Sequence, residues 1–573
     1  MANRSLVGRL LAKKIPISVD VAILIYFVAG TCIVVAGSYI HWVAACIAAA
    51  VVLYDFVMFM RQVRTAAVND ESSRGRELQA VKDVKRRCEE ECKKNGNDRG
   101  VLWGTMRIPS KDATNHFCVV GAVGSGKTLT LRMLMRDQLP LLKRQSDRRA
   151  VIYDPKQDMV PIVKSILHDA KVDCPILILN PFDKRGAGWN IAQDVRTPAA
   201  ARQLADTLVP SNDKESQPFF SNAVRELLAA VVTVFVTTRP DAWTLRDVLL
   251  VMRSQDLLRA VLESFPYTRH IAANFLDAGE VTVGSILATV ATKLGPFEPI
   301  AAAWMHAPEQ LSIAKWLSGT EILILGNDER MRSILDTVNQ LFVSLAAQHV
   351  LTQPESDKRR TWFFFDEFSE AGKLRGLESI ILRGRSKGCC VVLGFQDISH
   401  VHSVYEKELG NTIVGQCGNK AFLRIESPET ADWASRSFGD LERPEINQSV
   451  TRSKDGVTKT FAEQRQLRAS VLASQFMTLP TCGPQNGLEG YYLLRSFGGY
   501  QASYAWDQVM KQVGPVHNVK ALDEAPKEWQ YLAAWSDGDA ARLNIHRANQ
   551  NGQANQQKAT SEATLDEIDR IEL

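Results

Sequence analysis

The stretch 116–128 reads H-F-C-V-V-G-A-V-G-S-G-K-T and continues into the helix-forming run L-T-L-R-M-L-M-R. The apolar residues before Gly121 indicate a buried strand, and the glycines allow backbone N–H groups to close around phosphate oxygens. Lys127 can reach the β- and γ-phosphates, and the Thr128 hydroxyl can bind Mg²⁺. This strand, loop and helix predict an ATP site with Mg²⁺, built from Gly121, Gly124, Ser125, Gly126, Lys127 and Thr128.

A second stretch, T-W-F-F-F-D-E at 361–367, supplies the acids that a phosphate loop needs. Its large apolar residues suit a central strand, and the acids follow where such a strand meets a nucleotide crevice. Asp366 is the candidate second protein ligand of Mg²⁺, and Glu367 is the candidate base that orients the attacking water. Kinases and small GTPases need not carry a second acid here, whereas ATP-driven motors commonly do.

Further strands alternate with helical runs, as in a mostly parallel sheet, so the predicted fold class is α/β. We expect them at Ala150–Asp154, Ile176–Leu179, Glu321–Gly326, Cys389–Phe395 and Asn419–Ile425. Gln396 follows one of these strands and could sense the γ-phosphate or position water, although plain turn chemistry is an alternative. Asp154 also ends a strand, and the sequence does not separate a site role from a loop start.

Strand signals lapse over 195–294, where helical periodicity predicts an inserted all-α domain. The nucleotide-binding domain, with a polar stalk at its start, is then expected over 65–194 and 295–515. Residues 516–573 are expected to form a flexible acidic tail. Its last part, 521–573, has ten acids and five bases. The terminal acidic and apolar segment 564–573 either docks on a basic partner or is a solvated terminus.

The amino-terminal segment 1–64 predicts a two-helix transmembrane hairpin. Residues 21–39 carry no charge and 43–60 carry only Asp55, so each run is long enough to cross the hydrocarbon layer of about 30 Å. Basic residues flank both runs, which places both termini in the cytoplasm. A cleaved signal peptide is the alternative, but the second apolar run and the phosphate loop argue against export.

Composition sets the remaining limits. The chain has 573 residues with 45% hydrophobic and 23% charged residues, which excludes wholesale disorder and a polytopic transporter. The net charge of +4 does not by itself indicate nucleic-acid binding, so any DNA contact must come from local patches or from a channel built by several copies. Ten scattered cysteines suit a reducing compartment.

In order, these motifs resemble the type IV coupling proteins of bacterial conjugation, which are FtsK/HerA-like P-loop ATPases of the TraD and TrwB type. The resemblance covers roughly residues 15–510 and includes Q-P-F-F-S-N-A at 217–223 and L-R-G-R-S-K-G-C-C-V-V-L-G-F-Q at 382–396. It implies a RecA-like domain and a homo-hexamer at the bacterial inner membrane. It also implies transfer of relaxase-bound single-stranded DNA to type IV secretion channel proteins, with the tail contacting an accessory relaxosome protein.

A ring of subunits could complete each site with an arginine from its neighbour, since transition-state charge can be stabilised in trans. Arg424 is the first candidate, and Arg383 and Arg385 are its rivals. Two other functions stay open: a receptor platform that uses ATP only to set its shape, and an FtsK-like DNA translocase. The continuous helical insertion and the short link between membrane and motor argue against the last.

Overall fold

The computed structural model describes residues 74–144, 147–211, 217–453 and 456–545, together with positions 51, 53, 54 and 58. The predicted membrane hairpin at 1–64 lies outside these ranges except for those four positions. The last part of the predicted tail, from residue 546, also lies outside them. The described chain divides into two compact units: residues 440–469 with the segment up to Glu77, and the remainder from Leu78 onward.

A nine-stranded sheet forms the centre of the larger unit. Its order is β16-β15-β12-β4-β11-β10-β5-β9-β6, and its pairings are parallel except for β16 with β15 and β15 with β12 at one end of the sheet. In chain order, the strands of the described residues are β1 (Arg74–Gly75), β2 (Val101–Trp103), β3 (Met106–Ile108), β4 (Phe117–Val120), β5 (Arg148–Asp154), β6 (Ile176–Leu179), β7 (Ala187–Trp189), β8 (Glu309–Leu311), β9 (Ile322–Gly326), β10 (Arg360–Phe365), β11 (Cys389–Phe395), β12 (Asn419–Phe422), β13 (Asp440–Ser453), β14 (Gly456–Ala469), β15 (Leu488–Leu494) and β16 (Gly498–Tyr504).

Strand β10 shows why this sheet is buried on both faces. Trp362 and Phe364 point into one apolar core, whereas Phe363 and Phe365 point into the other. All four side chains are fully buried. Because successive side chains of a strand alternate between faces, an unbroken aromatic run fits only a strand covered on both sides. The run therefore places β10 in the middle of the sheet, between β11 and β5.

Helices cover the sheet and build the insertion. The α-helices of the described residues are α1 (Val81–Lys94), α2 (Lys127–Gln138), α3 (Leu141–Arg144), α4 (Met159–Ala170), α5 (Pro198–Leu208), α6 (Pro218–Thr238), α7 (Leu245–Arg253), α8 (Gln255–Glu263), α9 (Arg269–Leu276), α10 (Glu280–Leu294), α11 (Glu298–His306), α12 (Ile313–Ser318), α13 (Arg332–Thr352), α14 (Leu377–Arg383), α15 (Ile398–Tyr405), α16 (Lys407–Gln416), α17 (Pro428–Phe438), α18 (Ala473–Met477), α19 (Trp506–Val513) and α20 (Asp537–Leu543). Short 3₁₀ turns occur at Ser110–Asn115, Ile191–Gln193, Gly295–Phe297, Glu329–Met331, Phe368–Ala371, Arg385–Lys387 and Lys527–Gln530.

The inserted helices run from α5 to α11, past the predicted boundary at residue 294. Strand β7, before α5 in the chain, pairs in parallel with β8, after α11, so the chain segments that enter and leave the helical block lie side by side. Helix α6 lies at its centre and contacts α5, α7, α8, α9 and α10. Among the described helices, α6 alone is long and apolar enough to cross a membrane as a single helix, but 67% of its most apolar window is buried. Its burial is therefore that of a core helix.

The smaller unit contains a long antiparallel hairpin that the sequence analysis did not anticipate. Strands β13 and β14 pair from Asp440 opposite Ala469 to Ser453 opposite Gly456. Strand β1 adds to β13 as a third strand, with Gly75 opposite Leu441. Gly75 has φ +126°, and a Cβ there would lie 2.2 Å from the Asp440 carbonyl oxygen. Glycine is therefore required at this point of the pairing.

Residues 515–545, here called the strap, are ordered where the sequence predicts a flexible tail from residue 516. Lys184 N–H donates to the Asp523 carbonyl, and Ala525 N–H donates to the Phe182 carbonyl. The Trp529 ring stacks on His306, at the end of the insertion, with ring centroids 5.6 Å apart. The strap therefore spans from the nucleotide-binding domain to the inserted helices. Its order depends on long-range contacts, which composition does not reveal.

The end of the strap is fixed by a network of two arginines and two aspartates. Arg246 Nη2 lies 3.1 Å from Asp539 Oδ2, and Arg542 Nη2 lies 2.9 Å from Asp247 Oδ1. Burial raises the pKa of Asp539, but the hydrogen bonds from Arg246 and Arg542 outweigh this effect and hold it well below its usual range. A carboxylate with a depressed pKa stabilises the fold above its unfolded-state pKa, and that stability is lost as pH falls through the folded-state value.

We predict that Asp539→Ala releases the strap. The variant removes one of the two carboxylates beside the buried Arg246 guanidinium and leaves Asp247. We expect this loss to lower the free energy of unfolding by about 3 kcal/mol. Limited proteolysis should cut within 515–545 faster than in the unmodified chain, equally at pH 6 and pH 8, since Asp539 is ionised throughout that range. Asp537→Ala, an exposed acid on the same helix, is the control. Equal cleavage rates for both variants would show that the network does not hold the strap.

Candidate nucleotide-binding site

The phosphate loop connects β4 to α2 at the carboxyl edge of the sheet and is held from both sides. Ala122 N–H donates to the Arg424 carbonyl at 2.8 Å, beyond the end of β12. On the other side, Cys482 N–H donates to the Gly124 carbonyl at 2.9 Å. These bonds fix the loop backbone through neighbours that are distant in sequence, which pre-organises it for an anion.

Gly126 combines a left-handed backbone with a close approach. Its φ is +97°, and a Cβ at this position would lie 2.5 Å from Leu488 Cδ1 and 3.0 Å from Cys482 Sγ. Gly124 also has positive φ, at +75°, but a Cβ there would meet no atom within 4 Å. The two glycines therefore serve different purposes: Gly124 supplies only backbone freedom, whereas Gly126 also leaves room for the β15 side of the site.

The acids after β10 face the phosphate loop. Thr128 Oγ1 donates to Asp366 Oδ2 at 2.9 Å, and Lys127 Nζ lies 2.9 Å from Glu367 Oε2. Lys127 is 7% exposed, and Asp366 and Glu367 are each 3% exposed. The structure thus brings together the lysine, the threonine and the two acids that the sequence analysis selected.

Two neutral side chains orient Glu367. Gln396 Nε2 donates to Glu367 Oε2 at 3.1 Å, which places this predicted residue beside the acid. Ser369 Oγ donates to Glu367 Oε1 at 3.3 Å. The sequence analysis missed Ser369, although its position two residues after the acid was a usable signal. Cys482 and Leu488 were also missed, because only the fold brings β15 to the phosphate loop.

The site has polar oxygens that the protein itself leaves unpaired. Among the described residues, Asp366 Oδ1 and Ser125 Oγ are buried without a hydrogen-bond partner. Burial raises the pKa of Asp366, although Thr128 and Lys127 oppose this effect. Mg²⁺ prefers oxygen ligands and is usually held by one or two protein groups plus phosphates and water. The Asp366 carboxylate and the Thr128 hydroxyl fit that requirement.

Asp154 has a structural role at the next strand end. Its carboxylate accepts the backbone N–H groups of Asp158 at 3.0 Å and Met159 at 3.1 Å, where α4 begins. Burial, together with the nearby Asp158 charge, raises the pKa of Asp154 to about 7. These contacts order the loop that follows β5, so the loop-start interpretation accounts for this residue.

The three candidate arginines lie in different places. Arg424 Nη1 donates to the Leu479 carbonyl at 3.0 Å, and its own carbonyl supports the phosphate loop. Arg383 donates to Ser379 Oγ at 2.9 Å on its own helix, and Arg385 is exposed in a 3₁₀ turn. In the part of the chain that the structure describes, neither rival donates a hydrogen bond to the phosphate loop. Arg424 reaches the loop through its backbone carbonyl, not through its guanidinium.

A family model matches residues 101–492 of this chain, and that family is the type IV secretion-system coupling protein DNA-binding domain. The chain belongs to this family. Coupling protein TraD of Escherichia coli (strain K12) is 26% identical over 389 residues, which is 67% of this chain and 52% of TraD. The chain thus matches about half the length of that curated relative. The family resemblance expected from the sequence is confirmed.

Solved structures of the coupling protein TrwB share the fold of this coupling-protein chain. The unbound monoclinic form of TrwBdeltaN70 has a TM-score of 0.60 at 22% identity, covering 79% of this chain and 96% of that one. TrwB in complex with ADP and Mg²⁺ has a TM-score of 0.59 at 22% identity, covering 79% and 97%. The predicted α/β class with a RecA-like P-loop domain is confirmed.

We predict that Gly126→Ala lowers both the melting temperature and the affinity for ATP, because its Cβ collides with Leu488. Adding Leu488→Ala should lower the melting temperature by less than the sum of the two single changes. It removes the 2.5 Å collision but leaves the contact with Cys482 Sγ at 3.0 Å and the backbone strain of about 1–2 kcal/mol. Thermal unfolding and binding of a fluorescent ATP analogue measure the two effects. Gly124→Ala is the control for strain without collision. If the decreases in melting temperature caused by Leu488→Ala and by Gly126→Ala are simply additive in the double variant, the packing explanation is contradicted.

Proposed function

We propose that this protein is an inner-membrane ATPase coupling protein that recruits relaxase-bound single-stranded DNA and drives its transfer into a type IV secretion or conjugation channel. The observation that carries the proposal is the buried pairing of Lys127 with Glu367 and of Thr128 with Asp366. Family membership supports the coupling role. The TrwB structures with ADP and Mg²⁺, with an ATP analogue and with a GTP analogue support a nucleotide site that takes Mg²⁺.

In the proposed reaction, the phosphate-loop N–H groups and Lys127 bind the β- and γ-phosphates of ATP. Asp366 and Thr128 would hold Mg²⁺, which neutralises charge on the phosphate oxygens. Glu367 accepts the proton of the attacking water, and Gln396 and Ser369 keep its carboxylate oriented. The groups are buried, so the charges act in a medium of low polarity, where such interactions are strongest.

The contact between Lys127 and Glu367 adds a control step to this scheme. Both groups are almost fully buried, and the two atoms are 2.9 Å apart. A terminal phosphate bound at Lys127 competes with Glu367 for the ammonium. Its arrival therefore frees a carboxylate oxygen to accept a hydrogen bond from water. Lys127 therefore links the binding of ATP to the ability of Glu367 to accept a proton from water.

The assembly follows from the same proposal. A homo-hexamer would let an arginine of one subunit reach the site of the next, and basic groups inside its ring could hold a DNA backbone without reading sequence. Two membrane spans within 1–64 would anchor the chain with both termini in the cytoplasm. The inserted helices would face the cytoplasm for substrate recruitment, and the end of the tail would contact an accessory relaxosome protein.

We predict that Glu367→Gln lowers the kcat of ATP hydrolysis by about 10²- to 10⁴-fold while ATP still binds, because the base is lost but the shape is kept. Lys127→Ala should abolish hydrolysis and weaken ATP binding. The assay is phosphate release by the full-length chain in detergent, with and without single-stranded DNA, which should raise the rate. Glu378→Gln, an acid on α14, is the matched control. Hydrolysis or DNA transfer that survives Glu367→Gln would contradict the motor function and favour a receptor platform.

We predict that Arg424→Ala inactivates the ATPase and that mixing it with Lys127→Ala restores part of the activity. In a mixed ring, some interfaces combine an intact lysine with an intact arginine from the neighbour. The same assay on co-assembled variants measures this, with Arg383→Ala and Arg385→Ala in parallel. Inactivity of every mixture would assign Arg424 to its own subunit, where its guanidinium donates to the Leu479 carbonyl.

A further inference from the structure

A cluster of two histidines and one aspartate lies where the strap leaves the nucleotide-binding domain. His168 and Asp169 belong to the last turn of α4, and His517 belongs to the strap. One ligand atom from each of the three residues lies within 4.8 Å of the other two. Within the described residues, this is the one group of three or more such side chains close enough to share a cation. The phosphate-binding chemistry uses none of them.

The distances suit a tetrahedral cation. His517 Nε2 is 2.8 Å from Asp169 Oδ1, and His168 Nδ1 is 3.6 Å from the same oxygen. Metal–ligand bonds of about 2.0–2.1 Å at a tetrahedral angle separate neighbouring ligand atoms by about 3.3 Å. The two observed separations lie on either side of that value. The ligand atoms of the two histidines lie within 4.8 Å of each other, so shifts of up to about 1.5 Å would convert the hydrogen-bonded cluster into three metal ligands.

The aspartate is already supported as metal-bound carboxylates usually are. Arg136 Nη1 donates to Asp169 Oδ2 at 2.9 Å, which leaves Oδ1 directed at the histidines. The backbone N–H of His517 donates to Ser165 Oγ at 2.8 Å, which fixes the strap beside α4. Such supporting contacts orient ligands and raise metal affinity.

The cluster is also accessible. Its side chains are 76%, 19% and 40% exposed for His168, Asp169 and His517. The two histidines line a cleft of about 680 Å³ between α4 and the strap. Water could therefore supply a fourth ligand. Two imidazoles and one carboxylate favour Zn²⁺ or a neighbouring transition metal, whereas Mg²⁺ and Ca²⁺ favour all-oxygen sites.

We propose that His168, Asp169 and His517 bind one divalent transition-metal ion of the Zn²⁺ class, which fastens the strap to the nucleotide-binding domain. The ion joins α4 to a strap segment that is more than 340 residues away in the chain, as the His517–Asp169 separation of 348 shows. Through Arg136 the same cluster touches α2, the helix that begins with Lys127. The proposal is independent of ATP hydrolysis and of DNA transfer.

The test is titration of the metal-stripped full-length chain with ZnCl₂ by isothermal calorimetry, with Mg²⁺ present in excess. The unmodified chain should bind one more Zn²⁺ than the His168→Ala/His517→Ala variant. His168→Ala alone should weaken that site at least tenfold; its side chain is largely exposed, and the packing contact that it loses is the edge-to-face contact with the His517 ring. His402→Ala, a histidine beside Glu429 that belongs to no group of three possible metal ligands in the described part of the chain, is the control.

Two further readouts separate metal binding from folding. Co²⁺ should give visible d–d bands typical of histidine ligation in the unmodified chain and in His402→Ala, but not in the double variant. Zn²⁺ should slow proteolysis within 515–545 only where the site is intact. Equal Zn²⁺ stoichiometry in the unmodified chain and the double variant would overturn the proposal. So would an affinity unchanged by His168→Ala, and either result leaves the ATPase proposal untouched.

Discussion

The parallel order of β4, β11 and β10 is the constraint on which the site depends. Because parallel strands end at one edge of the sheet, the phosphate loop after β4 and the acids after β10 meet there although 240 residues separate Lys127 from Glu367. Strand β11 lies between them and contributes Gln396 from the same edge. The aromatic run of β10 secures this order, since it must be covered on both faces.

Burying these charges has an energetic cost that the fold must offset. A lysine and a carboxylate removed from water recover that cost only with good geometry and further hydrogen bonds. Glu367 has both, through Lys127, Gln396 and Ser369. Asp366 is less well satisfied, because one of its oxygens has no partner and burial raises its pKa. An incompletely satisfied carboxylate beside a hydroxyl is a favourable place for a cation.

The strap connects the nucleotide-binding domain to the inserted helices. It continues the chain of the former and packs non-covalently against the latter. It begins beside α2 and α4, pairs briefly with the chain near Phe182, and ends among the inserted helices at Ile545, which is 5% exposed. Buried ion pairs such as Arg246–Asp539 are costly to break once formed. The inserted helices and the candidate nucleotide site at the sheet are thus joined by a segment outside both.

The sequence by itself determined the phosphate loop, the acid pair, the α/β class and the family, because each of these depends on neighbouring residues and on strand and helix periodicity. It also located Gln396 at a strand end. Only the tertiary structure decided the β13–β14 hairpin, the edge strands β15 and β16, and the order of the strap. The same holds for the contacts of Ser369, Cys482 and His517. Those features arise from pairing between segments far apart in the chain, and no local pattern specifies which distant segment a residue will meet.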